Sequence, residues 1–143
     1  MQRVRKVAAV TAAAVLLTGL TACRGSEGGD TTEEGIKTDF GVTSEPCPDA
    51  VNPDNGCIYL GTLSDLTVGP FSPLAPAIVA AQKAFWQRVN EQGGIGGYDI
   101  DVTTYVRDNK YDAQTTVEVY QEIKPHILAL AQTLGSDTTA AIL

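Results

Sequence analysis

The chain has one histidine, His126, and one tryptophan, Trp86, among its 143 residues. A lone histidine cannot supply the paired ligands of an H-E-x-x-H metal site, and no G-x-S-x-G elbow is present to seat a serine nucleophile. His126 follows Pro125 at a strand entrance and reads as a surface residue rather than a general base. Basic residues are scarce: 10 Lys and Arg stand against 17 Asp and Glu, for a formal charge of −7. That balance excludes the basic patch a nucleic-acid partner requires. Cysteines number three, Cys23, Cys47 and Cys57, without the close Cys/His pairs of a zinc site. The longest apolar run, Val7 to Leu20, is 14 residues, short of the roughly 20 that cross a bilayer as a helix. No catalytic set, metal cluster or cofactor motif emerges, so no enzyme is expected.

What is present begins with a secretory pattern over residues 1–22: Arg3, Arg5 and Lys6, then the apolar run, then small residues. Three of the ten basic residues and no acidic ones lie there, so the remainder carries 7 against 17 and is a soluble, acidic body. Leu20-Thr21-Ala22-Cys23 resembles the lipobox of bacterial lipoproteins. The resemblance implies cleavage before Cys23, lipid on its thiol, and attachment to the membrane through that lipid. Residues 23–46 are rich in Gly, Thr, Ser, Glu and Asp and cannot bury enough surface to offset their ordering entropy; they are expected to form a flexible tether. The folded body is expected over 47–143.

Cys47 and Cys57 flank nine residues of almost pure turn chemistry, Pro48 to Gly56. Outside the cytoplasm such a pair is expected to form a disulfide that fixes the start of the first strand. Ile58 to Leu63 is short, apolar and β-prone. Ser64 to Pro73 is a polar loop with Gly-Pro and Ser-Pro turns. Ser72 before Pro73 predicts an N-cap, and Ile78, Ala81, Phe85 and Val89 follow as one helical stripe. Gly93-Gly94-Ile95-Gly96-Gly97 follows a helix and opens a strand, so it predicts an αβ turn and not a phosphate loop. Ile100, Val102, Thr104 and Val106 alternate with polar residues, as in a strand near a sheet edge. Asp112 is placed to cap a helix with Ala113, Thr116, Val117, Tyr120 and Ile123 on its inner face. Ile127 to Leu134 is nearly continuous apolar and predicts a central parallel strand covered on both faces. The order β-α-β-α-β-α predicts an α/β fold with a doubly wound parallel sheet.

Ligands of such sheets sit on loops at the carboxyl ends of the strands. Gly135-Ser136-Asp137-Thr138 lies at one such end and is suited to an anionic ligand group, or else is an ordinary helix cap. Asp65 and Asp108 have no paired base or metal and read as loop and cap residues.

Taken in order, several pieces resemble the leucine/branched-chain-amino-acid-binding family, the type I periplasmic binding proteins of ABC importers. They are the lipobox, Gly61-Thr62-Leu63 with Thr67-Val68-Gly69-Pro70-Phe71, the helix Ala80 to Phe85, and Asn90-Glu91-Gln92-Gly93-Gly94-Ile95-Gly96-Gly97. Asp108 to Asp112 and Leu130 to Ser136 complete the set, over about Ile58 to Leu143. The resemblance implies a two-lobed clamp, of which this chain is a partial first lobe. It implies an extracytoplasmic lipoprotein that captures an amino acid or similar solute and delivers it to ABC permease subunits. The implied ligand contacts are Gly69, Pro70, Phe71 and Ser72 after the first strand, and Ser136 and Thr138 after the third. Leu74 stands where amino-acid binders often carry an aromatic. A lipid-anchored sensor or interaction module of the same fold, and a truncated, non-functional fragment, are the alternative readings.

Overall fold

A computed structural model describes residues 40–143. The signal segment, Cys23 and the tether up to residue 39 lie outside the described residues. The elements are β1 (Val42–Thr43), β2 (Gly56–Ser64), α1 (Ala75–Glu91), β3 (Tyr98–Asp108), α2 (Ala113–Ile123), a 3-10 turn (Lys124–His126), β4 (Ala129–Thr133) and α3 (Ser136–Ala140). The α/β class and the β-α-β-α-β-α order of the main body are as the sequence predicts.

β2 is the centre of the sheet. It pairs in parallel with β3 from Gly56↔Tyr98 to Ser64↔Asp108, and in parallel with β4 from Leu60↔Ala129 to Leu63↔Thr133. β1 is antiparallel to β2 through Val42↔Ile58 and Thr43↔Cys57. A strand has only two edges, so β1 and β4 lie end to end along the edge opposite β3. β1 falls inside the segment predicted as tether: Val42 is buried, and Gly41 accepts a hydrogen bond from the Tyr59 amide at 2.7 Å. Two residues are too short to carry a periodic signal, and the pairing comes entirely from β2.

β4 differs from the central strand predicted for Ile127 to Leu134. Among the described residues it has β2 as its only strand partner, and Ala129 and Ala131 are exposed. Ile127 precedes the strand and turns into the core instead. That core is Leu63, Ile123 and Ile127, with Tyr105, Val119, Tyr120, Leu130 and Ile142 packed against it. Gly61 lets α2 approach β2 so closely: a Cβ there would lie 2.7 Å from Ile127 Cδ1 and 2.9 Å from Ile123 Cδ1.

α1 is rotated relative to its predicted stripe. Ala75 and Asn90 are buried, and Val79, Gln82, Trp86 and Val89 are half-buried. Ile78 and Phe85 are 42% and 59% exposed, and Ala81 is exposed as well. Asn90 sets the rotation by a paired contact with the Ile100 backbone: its Nδ2 donates to the carbonyl at 3.0 Å and its Oδ1 accepts the amide at 2.9 Å. Leaving the two Ile100 backbone groups buried and unpaired would cost about 1–3 kcal/mol each, which ties the helix to this face. The helix also starts later than predicted. Ser72 is no N-cap; Leu74 holds that position and Pro76 sits in the first turn.

The turn-rich loop is joined to β2 by a Cys47–Cys57 disulfide with Cα atoms 4.8 Å apart. Asp99 organises the loop from below. Its Oδ2 accepts from the amides of Val51 and Asn52, both at 2.9 Å, and its Oδ1 from the side chains of Asn52 at 2.7 Å and Asn55 at 3.0 Å. Burial raises this carboxyl's pKa, but the hydrogen bonds outweigh it and hold the group below its ordinary 3.8. The glycine segment after α1 is the predicted αβ turn, with Gly93, Gly94, Gly96 and Gly97 all at positive φ.

Candidate functional site

Parallel strands put their carboxyl ends at one end of the sheet, so the loops after β2, β3 and β4 meet there. Between them lies an open groove of about 450 Å³, lined by Phe71, Tyr111, Thr133, Gly135, Ser136, Thr139, Ala140 and Leu143. Phe71 and Tyr111 form an aromatic wall, edge to face with centroids 5.8 Å apart. Across from them, α3 presents hydroxyl groups.

The loop after β2 is shaped by two carboxyls. Asp65 is fully buried, and its Oδ2 accepts the Phe71 amide at 2.8 Å. Asp108, at the end of β3, accepts the amides of Leu66 at 2.9 Å and Lys110 at 3.0 Å, and the Thr67 hydroxyl. Burial raises the Asp108 pKa, and these hydrogen bonds lower it further than burial raises it, leaving the carboxyl below its ordinary value. Both aspartates are loop-holding groups, as the sequence suggests. Asp65 Oδ1 and Asn109 Nδ2 are buried without a partner among the described residues.

The predicted contacts separate into two groups. Phe71 and Ser136 line the groove. Gly69, Pro70 and Ser72 do not. The Ser72 hydroxyl donates to the Gly69 carbonyl at 2.9 Å and closes the turn. Gly69 has φ +130°, and a Cβ on it would lie 2.4 Å from Asp65 Oδ2; its bareness serves the protein's own packing.

Thr138 is also turned away. It is 1% exposed, and its hydroxyl donates to the Leu134 carbonyl at 2.7 Å. Its neighbour Thr139 faces the groove instead and shares a hydrogen bond of 3.0 Å with Thr133. Gly135, at φ +99°, takes the N-cap position of α3, and no side chain caps that end. Neither Ser136 nor Asp137 is therefore engaged as a cap, and both are exposed.

Tyr111, Thr133 and Thr139 are lining residues that sequence reasoning missed. The available signal was positional: Asp108 to Asp112 follows a parallel strand, as Gly135 does. The strand order β3-β2-β4 brings all three loops together, and sequence alone does not reveal that order.

A second cleft of about 260 Å³ lies between the disulfide loop, α1 and β3, with Trp86, Lys83, Gln87 and Asp49 around it. Its buried polar groups are already engaged: Asn90 with Ile100, and Asp101 with the amides of Thr103 and Thr104. The groove at the strand ends has the convergent loops.

Residues 58–143 match the family described as periplasmic binding protein. Among solved structures, a fatty acid ABC transporter substrate-binding protein from Thermomonospora curvata is similar, at 34% sequence identity and a TM-score of 0.63. The match covers 77% of this chain and 25% of that one, so the chain spans about a quarter of that relative's length. No curated protein matches the chain.

Proposed function

Because this chain belongs to the periplasmic binding protein family, we propose that it forms part of the first lobe of an extracytoplasmic solute-binding protein serving an ABC importer. It would hold the solute without chemical change and pass it to permease subunits, with the mature protein anchored through lipid on Cys23. The observation that carries this reading is the convergence of three strand-end loops on one groove with an aromatic wall and a hydroxyl-bearing wall.

The groove chemistry suits a solute with an apolar body and a carboxylate. Phe71 and Tyr111 offer ring surface to the body. The Ser136 hydroxyl, with the first amides of α3 that lack partners within the helix, offers donors to the anionic end. An amino acid with an apolar side chain fits that description, and so does a fatty acid, the solute in the relative's name. The two differ by an ammonium group. Isothermal titration of the full-length protein with leucine, phenylalanine, serine, octanoate and a polyol separates them. Saturable binding of an apolar-bodied carboxylate is expected. Binding of the polyol alone, or of none of the five, would refute the reading.

A further inference from the structure

We infer that Tyr111 is a specificity-determining contact of this groove and that Asn109 is its positioning residue; the inference rests on the solute-binding reading above. All three loops are built around the Tyr111 ring. From the β2 loop, Gly69 backs onto it so closely that a Cβ there would lie 2.7 Å from Tyr111 Cβ. From the β4 loop, Gly135 does the same, at 2.7 Å from Tyr111 Cε2. Phe71 meets it edge to face. Two glycines at positive φ, on separate loops, leave room for this side chain, and Gly69 leaves room for Asp65 as well.

The backbone beneath the ring is held in an unfavourable conformation. Lys110 and Tyr111 have φ of +53° and +55°, the left-handed region that residues with a Cβ rarely occupy and that clusters at functional positions. Asn109 imposes it. Its side chain is fully buried, its Oδ1 accepts the Tyr111 amide at 3.1 Å, and its own amide donates to the Ser64 carbonyl at 2.9 Å. Asp108 takes the Lys110 amide on the other side. The result is a tyrosine presented to the groove on a loop anchored to the ends of β2 and β3. Its ring offers a flat surface to the apolar portion of a solute, and so bears on the choice between apolar and polar solutes rather than on the anionic end.

The test uses the full-length protein with leucine, octanoate and serine as titration probes, and amide hydrogen exchange as a second readout. Tyr111→Ala should weaken leucine or octanoate, whichever the wild type binds, by about 10- to 100-fold, and should narrow its preference over serine. Asn109→Ala should weaken the same probe and raise exchange across 108–112 while β2 and β3 stay protected. Asn109→Ser, which keeps a neutral acceptor for the Tyr111 amide without burying a charge, should restore part of both. Wild-type affinity in Tyr111→Ala would overturn the inference and leave the solute-binding reading intact. Equal losses in Asn109→Ala and Asn109→Ser, with exchange rising throughout the sheet, would reduce Asn109 to a plain structural role and overturn its part. If the wild type binds none of the probes, the solute class fails first and this inference falls with it.

Discussion

Replacing Asp99 by alanine tests the account of how the disulfide loop is held. Asp99 is fully buried and accepts four hydrogen bonds from Val51, Asn52 and Asn55. A hydrogen bond to a charged group is worth about 1.5–3 kcal/mol in mutational series. The four donors lie in a loop whose edges reach water, so most can be resolvated, and the sum does not apply. A net loss of about 2–4 kcal/mol is expected. At about 4–8 °C per kcal/mol for a domain of this size, the midpoint should fall by ~8–30 °C. The pH dependence gives a second check. The folded pKa lies below the ordinary 3.8, so the unfolded chain binds the proton more readily. The contribution is complete above roughly pH 5 and is lost as pH falls through the folded value. Thermal melts of wild type and Asp99→Ala between pH 7 and pH 2.5 should therefore converge toward the acid end. A midpoint at pH 7 within about 2 °C of wild type, the shift of a ~0.5 kcal/mol change, would refute the reasoning. So would a gap that stays constant down to low pH.

Ser136→Ala removes one donor to an anionic group and should weaken solute binding about ten- to a hundredfold, read by titration of the full-length protein. Gly61→Val forces a branched side chain into the space of Ile123 and Ile127. Overpacking of this kind costs about 1–3 kcal/mol or more, visible as a lowered denaturant midpoint with unchanged slope. Mass spectrometry of membrane-extracted protein should show a chain beginning at a lipid-modified Cys23; an intact Met1 would remove the anchor.

Much of the fold was legible because its signals are local. Ile58 to Leu63 reads as a strand by composition, Gly93 to Gly97 as a turn by backbone freedom, and Asp112 as a cap by side-chain reach. The Asp112 carboxyl does accept the Thr115 amide at 2.7 Å. The α/β class follows from the order of such elements. What the sequence could not determine depends on partners distant along the chain. Val42 joins the sheet only because β2 has a free edge there. α1 turns Ile78 and Phe85 to the surface because Asn90 meets the Ile100 backbone. The groove shows the same division. A polar loop after a strand marks Ser136 as a candidate and the family resemblance adds Phe71, but helix geometry sends Thr138 inward and Thr139 outward. Tyr111 enters the groove because β2 lies between β3 and β4, so that three loops separated in sequence close on one ring. Periodicity reports which residues share a face; only packing decides which face meets the groove.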